Sequence, residues 1–74
     1  MIEKLKEIIV NYVEVNPDEI TENSRFIEDI GLNSYDFMCM LGDIEDEFNI
    51  TVDEAEIVNL RTVGEAIAYF ESLQ

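Results

Sequence analysis

The amino-acid sequence predicts an all-α fold, a small four-helix bundle of three longer helices and one short helix. Three segments carry apolar residues at the three- and four-residue spacing that gives an α-helix one buried face. No segment shows the sustained alternation of apolar and polar residues that a half-buried strand requires. With 74 residues, the chain is expected to form a single domain, 1–74, near the lower end of what folds unaided.

The first helix is amphipathic and is expected to end near Val15. Its apolar positions recur at helical spacing with charged residues between them, and they are Ile2, Leu5, Ile8, Ile9, Tyr12 and Val13. Asn16-Pro17-Asp18 then predicts a turn, because proline lacks the N–H group that would continue the helix.

A long loop from Glu19 to Asn33 is predicted between the first two helices. Its apolar residues look like anchors that hold it on the core, and they are Ile20, Phe26, Ile27, Ile30 and Leu32. The same segment allows a short helical turn from Phe26 to Ile30. Loops of this length are uncommon without regular structure and often carry function.

The second helix is predicted from Ser34 to Phe48, where Asn49-Ile50-Thr51 interrupts it. A short helix from about Asp53 to Val58 follows, started by Thr51 or Asp53.

The last helix begins at Thr62. Thr62-Val63-Gly64-Glu65 matches the capping box, in which the threonine hydroxyl and the glutamate carboxylate each satisfy a backbone N–H group. The predicted buried stripe of this helix is Val63, Ala66, Ile67, Phe70 and Leu73.

The second helix has two unlike faces when each residue turns by about 100°. Its core face comprises Phe37, Met40, Leu41, Ile44 and Phe48. Its outward face comprises Tyr35, Met38, Cys39, Gly42 and Asp46, and the flanking acids are Asp36, Asp43 and Glu47 on one side and Glu45 on the other. An uncharged strip edged by carboxylates suits a docking surface, although scattered exposed apolar residues are also normal.

Ser34, at the start of this helix, is the candidate residue for covalent chemistry. Asn33 and Ser34 are both good N-cap types, so either residue can cap the helix. The chain has no histidine, and Lys6, the nearest lysine, lies far back in the sequence. Nothing nearby activates the hydroxyl, so we expect a serine that is modified rather than one that attacks a substrate.

The charge balance excludes several classes of partner. The chain has 18 acidic and 4 basic residues, a net charge of −14, which disfavours nucleic acid and anionic membrane surfaces. The negative charge favours a partner with a basic patch. The alternative is that the charge serves only to keep the protein soluble. No apolar run reaches membrane-spanning length, and the single cysteine, Cys39, indicates a cytoplasmic protein. We expect a monomer.

Three other classes of function compete with a modified carrier protein. An acidic protein-interaction module without a prosthetic group is the main alternative. A metal site built on the acids between residues 43 and 47 is disfavoured, because they lie on different helix faces and form no calcium-binding loop. An enzyme is disfavoured because Cys39 has no histidine partner.

Over essentially its whole length the chain resembles acyl carrier proteins. The resemblance rests on Phe26-Ile27-Glu28-Asp29-Ile30-Gly31, on Gly31-Leu32-Asn33-Ser34-Tyr35-Asp36, on Ile44-Glu45-Asp46-Glu47-Phe48 and on Ala66-Ile67-Ala68-Tyr69-Phe70. It implies that a phosphopantetheinyl transferase esterifies Ser34 with 4′-phosphopantetheine from coenzyme A. The thiol of that arm, not Cys39, then carries acyl groups as thioesters to partner enzymes of fatty acid biosynthesis or a related polyketide or aminoacyl pathway.

The resemblance also implies a partner-binding surface around the second helix. Acidic positions Asp36, Glu45, Asp46 and Glu47 would meet basic patches on the transferase and on acyl-processing enzymes. The family usually reads Asp-Ser-Leu where this chain has Asn33-Ser34-Tyr35, a glutamate is common at Cys39, and Gly42 replaces a larger apolar residue. The predicted partner-binding residues are Asn33, Tyr35, Asp36, Met38, Cys39, Gly42, Glu45 and Asp46.

A further hypothesis concerns the acyl chain itself. The bundle is expected to part slightly and admit the chain between inward-facing residues, namely Leu41, Ile44, Ile57, Leu60, Ala66 and Ile67.

Overall fold

The computed structural model describes residues 1–74, and its regular structure is helical throughout. The α-helices are α1 (Ile2–Ile9), α2 (Ser34–Phe48) and α3 (Val63–Ser72). Three shorter segments lie between them: a 3₁₀ turn (Pro17–Glu19), a π turn (Phe26–Ile30) and a 3₁₀ segment (Glu54–Asn59). The prediction of an all-α fold with a long connection before α2 is confirmed.

Helix α1 is shorter than predicted, because it ends at Ile9 rather than near Val15. The N–H groups of Asn11 and Tyr12 reach back only three residues, to the carbonyls of Ile8 and Ile9, at 3.1 and 2.9 Å. The chain therefore continues in a tighter turn after the regular helix. Tyr12 is still half-buried there, so the apolar periodicity extends beyond the α-helical hydrogen bonds.

Polar side chains join α1 to α2. The Tyr12 hydroxyl donates a hydrogen bond to the Asp43 carboxylate. Lys4 Nζ lies 3.0 Å from Glu47 Oε1 and 3.3 Å from Glu7 Oε2. The ion-paired side chains are exposed, so each ion pair contributes little to stability. Together, the bonds of Tyr12 and Lys4 join two acids of the α2 flank to α1 and to the turn that follows it.

The long connection packs onto the start of α3. The Phe26 N–H group donates to the Arg61 carbonyl at 3.0 Å, and the Val63 N–H group donates to the Ser24 carbonyl at 2.9 Å. These two bonds hold the π turn beside the segment that precedes α3. They close one end of the bundle, close to the start of α2.

Two glycines allow this arrangement. Gly31 ends the π turn at φ 94°, a left-handed conformation that other residues adopt at a cost. Gly64 donates its N–H to the Glu22 carbonyl at 2.8 Å, and a Cβ on Gly64 would lie 3.0 Å from that same oxygen. A side chain at Gly64 would therefore push the connection away from α3.

The cap signals of the later helices behave as predicted. Thr62 and Glu65 form the capping box, with Glu65 N bonded to Thr62 Oγ1 at 3.2 Å and Thr62 N bonded to Glu65 Oε1 at 3.0 Å. Asn49 ends α2 in a left-handed conformation at φ 54°. Asp53 caps the short helix, which is a 3₁₀ helix and ends at Asn59.

The core contains 18 buried residues, all of them apolar. They are Leu5, Ile8, Ile9, Ile20, Phe26, Ile30, Leu32, Phe37, Met40, Leu41, Ile44, Ile50, Val52, Leu60, Val63, Ala66, Ile67 and Phe70. Two predicted core positions are wrong. Ile27 is 46% exposed because the π turn directs Phe26 and Ile30 inward instead, and Leu73 is 37% exposed because α3 ends at Ser72. None of the helices combines the length and apolar character needed to span a bilayer.

The contact between Tyr12 and Asp43 predicts a pH dependence of stability. The hydrogen bond to Asp43 is the largest cause that raises the pKa of Tyr12 to about 12, followed by desolvation of the phenol. A tyrosine in the unfolded chain ionises near pKa ~10. Between these two values the unfolded chain binds fewer protons than the folded chain, so the free energy of unfolding falls as the pH rises.

We therefore expect wild-type protein to lose more stability than Tyr12→Phe between about pH 10 and about pH 12. Urea unfolding of both proteins at each pH measures this difference, and the other titrating groups are common to both. Equal losses in the two proteins would contradict the role assigned to the hydrogen bond.

Candidate functional site

Ser34 is the first residue of α2 and its side chain is exposed. Asn33 is the N-cap, because its Oδ1 accepts the N–H of Asp36 at 2.7 Å, which settles the choice between the two residues. The Ser34 hydroxyl makes no hydrogen bond within the protein. Buried Leu32 anchors the approach, with its N–H bonded to the Phe26 carbonyl at 3.0 Å. The serine therefore presents a free hydroxyl from a fixed backbone.

The start of α2 favours an anion on Ser34. The first N–H groups of a 15-residue helix carry partial positive charge, which stabilises negative groups at this end. A phosphoryl group on Ser34 would stand beside these donors. The carboxylate of Asp36, a half-buried residue in the first turn, is a negative group that already lies at this end of the helix.

An apolar cleft of about 280 Å³ opens beside Ser34. The π turn, α2 and the 3₁₀ segment before α3 form its walls, which comprise Phe26, Ile27, Glu28, Ser34, Phe37, Met38, Ile57, Val58, Leu60 and Arg61. The rings of Phe26 and Phe37 pack with their centroids 5.1 Å apart. Of the inward-facing residues predicted to admit a chain, only Ile57 and Leu60 line the cleft.

Three of the five residues predicted for the outward face of α2 are exposed, and two are half-buried. Tyr35 is 76% and Met38 49% exposed, and Asp46 is exposed as well. Cys39 is a free, half-buried thiol. Gly42 is half-buried, and a Cβ at this position would meet nothing within 4 Å, so the surface above it is open.

The acids of α2 differ in their surroundings. Glu45 is half-buried, and its Oε2 accepts the N–H of Val52 at 2.8 Å. Asp43 is bonded to Tyr12 in the turn after α1, and Glu47 is bonded to Lys4 of α1. Asp46 is exposed and makes no hydrogen bond or ion pair within the protein. Asp46 is thus the acid of this turn that is available to a basic partner, while Glu45 supports the fold.

Sequence reasoning missed six of the residues that line the cleft, namely Phe26, Ile27, Glu28, Phe37, Val58 and Arg61. Of these, Val58 is 74% exposed. Arg61 had a detectable signal, since it is one of only 4 basic residues and directly precedes the capping box. The exposure of Val58 could not be predicted from the sequence, because an isolated valine in a short helix is usually expected to be buried.

Comparison with known proteins identifies the family. Residues 3–70 match the family model described as a phosphopantetheine attachment site. An acyl carrier protein of Wolinella succinogenes is 35% identical over 72 residues, which cover 97% of this chain and 95% of that protein. The chain belongs to the acyl carrier protein family.

Other acyl carrier proteins agree with this assignment. One from a Sulfurovum species is 33% identical over 73 residues, covering 99% of this chain and 97% of that protein. The solved structure of the Enterococcus faecalis acyl carrier protein superimposes with a TM-score of 0.84 at 26% identity, covering 99% of this chain and 92% of that one.

As an acyl carrier protein, this chain bears a covalently attached 4′-phosphopantetheine. The arm supplies the thiol that holds acyl groups as thioesters, and the protein presents them to acyl-processing enzymes after activation by a phosphopantetheinyl transferase. It is a carrier and not a catalyst, because its partners perform the chemistry. The alternative of an interaction module without a prosthetic group is not favoured. The free hydroxyl of Ser34, the helix N-terminus and the adjoining cleft fit the attached group.

The different surroundings of Glu45 and Asp46 predict different effects of the same substitution. Glu45→Ala leaves the N–H of the buried residue Val52 without its acceptor, which we expect to cost about 1 kcal/mol of stability. Asp46→Ala removes an exposed acid and should change stability by less than about 0.5 kcal/mol.

Urea unfolding at fixed ionic strength compares the two variants, which carry the same charge change in the same turn of α2. Equal stabilities for both would refute a structural role for Glu45.

Proposed function

We propose that Ser34 is the residue to which the phosphopantetheine arm is attached. The observation that carries this proposal is the position of its free, exposed hydroxyl at the head of α2, beside an apolar cleft. Other hydroxyls have structural tasks, since the Ser24 hydroxyl accepts the Thr21 N–H and the Thr62 hydroxyl caps α3.

The attachment reaction requires a base that accepts the proton of the Ser34 hydroxyl. Ser34 Oγ forms a bond to the phosphorus that bears the pantetheine group in coenzyme A, and the bond from that phosphorus to the nucleotide breaks. The nucleotide part leaves, and the serine proton must pass to another group. The chain has no histidine, and no carboxylate of the protein is hydrogen-bonded to the Ser34 hydroxyl, so we assign the base and the binding of the leaving group to the transferase.

The docking face comprises Asn33, Tyr35, Asp36, Met38, Cys39, Gly42, Glu45 and Asp46. Within it, the exposure of Tyr35 and Met38 supports apolar contact with a partner, and the unbonded carboxylate of Asp46 supports steering toward basic residues. Gly42 leaves room for a close approach. Glu45 contributes mainly by holding the segment that follows α2.

The proposal also covers the pathway, the oligomeric state and the cellular location of the protein. Fatty acid biosynthesis, or a related polyketide or aminoacyl pathway, is the setting in which a carrier of this kind works. A net charge of −14 supports a monomer through self-repulsion, and a single free cysteine supports a cytoplasmic location.

Intact mass spectrometry tests the attachment residue. After incubation with coenzyme A and a phosphopantetheinyl transferase, wild-type protein should gain the mass of one phosphopantetheine, and Ser34→Ala should gain none. Ser72→Ala removes another exposed serine and should be modified at the wild-type rate. Modification of Ser34→Ala, or no gain by wild-type protein with several transferases, would reject the proposal.

The cleft beside Ser34 is the proposed location for the acyl chain. Apolar walls favour an alkyl chain over water, and longer chains should bury more of their surface there. We expect the methyl resonances of Ile57 and Leu60 to shift progressively as the thioester-linked chain lengthens. Cleavage by an added thioesterase should slow in parallel. Equal thioesterase access for short and long chains, with unchanged methyl resonances, would rule out sequestration in the cleft.

A further inference from the structure

The four basic side chains of this acidic protein fall into two pairs. Lys4 and Arg25 form the ion pairs of the protein, Lys4 with Glu7 and Glu47, and Arg25 with Glu28 and Asp29. Lys6 and Arg61 have no carboxylate within 4.0 Å of their charged nitrogens. In a chain with 18 acids, a cation that forms no ion pair is available to an external anion.

Arg61 stands at the cleft that adjoins Ser34. Both residues line it, together with the apolar walls described above. The backbone of Arg61 is held in place, because its carbonyl accepts the Phe26 N–H at 3.0 Å and Leu60 before it is buried. The exposed guanidinium extends from this fixed point, and the neighbouring acid on the cleft, Glu28, pairs instead with Arg25.

We propose that Arg61 is a positioning residue for the phosphodiester of the arm. The inference rests on attachment at Ser34. The guanidinium donates hydrogen bonds to the non-bridging oxygens of the phosphodiester, a planar arrangement of donors suited to phosphate. These bonds add to the partial positive charge at the start of α2. Arg61 thereby holds the first part of the arm over the mouth of the cleft, where its thiol and cargo can enter the apolar space.

The test compares two substitutions that change the net charge equally. Arg61→Gln removes the cation on the cleft. Lys6→Gln removes the other unpaired cation, which lines a separate polar hollow beside Glu3, Glu7 and Asp18. Arg61→Lys keeps the charge but loses the planar pair of donors. The backbone bond from Phe26 is retained in both Arg61 variants, so these proteins should fold.

Phosphopantetheine is first attached to each protein from coenzyme A, and intact mass confirms the modification. The ³¹P resonance of the phosphodiester and the Nε–Hε resonance of Arg61 are then measured. We expect the Arg61 resonance to differ between unmodified and modified wild-type protein. The ³¹P resonance should shift in Arg61→Gln, shift less in Arg61→Lys, and keep its wild-type position in Lys6→Gln. Added salt should move the wild-type ³¹P resonance toward that of Arg61→Gln.

The outcomes separate this inference from the attachment itself. Wild-type protein that gains no mass contradicts attachment at Ser34 and the inference with it. Protein that is modified, but whose ³¹P resonance moves equally in Arg61→Gln and Lys6→Gln, senses only net charge and overturns the role of Arg61. An Arg61 resonance that moves only when a dicarboxylic acyl group is loaded would assign the guanidinium to the cargo and overturn its assignment to the phosphodiester.

Discussion

The ring of Phe26 packs in the core against Phe37, while its backbone joins three parts of the chain. Its N–H binds the Arg61 carbonyl, and its carbonyl accepts the N–H groups of Gly31 and Leu32. One residue thereby fixes the connection that leads into α2, the wall of the cleft and the segment before α3. A 74-residue chain has few residues to bury, so the long connection must supply part of the core, and Ser34 is held in place as a consequence.

The scarcity of positive charge gives each basic residue a distinct place. Lys4 bonds the flank of α2 to α1, and Arg25 stabilises the π turn through Asp29, whose pKa is lowered chiefly by the hydrogen bond from the Arg25 guanidinium. These bonds relieve repulsion locally, while the other acids leave a strong negative field over the surface. That field attracts basic partners from a distance. The same field would oppose a phosphodiester on the protein, and a cation beside the proposed attachment site would offset it.

Local signals predicted the helix boundaries best. Thr62-Val63-Gly64-Glu65 contains all the groups of a capping box, so the start of α3 could be located from the sequence. The end of α1 could not, because the apolar periodicity continues beyond Ile9 into a tighter turn that buries the same face. The bond from Val52 to Glu45 and the approach of Arg61 to the cleft depend on how distant segments meet. Only the tertiary structure shows them.

The cleft is an exception to the general tendency of a small domain to bury its apolar surface. Ile27, Met38 and Val58 keep apolar surface exposed around it, which forgoes about 25 cal/mol of stabilisation for each Å² left in contact with water. A chain of this size has little stability to lose, so an open apolar cleft is best explained by an occupant. An alkyl chain held near Ser34 would cover these walls and recover that free energy. The length of the alkyl chain would then determine how strongly the cargo favours the cleft over the active site of a partner.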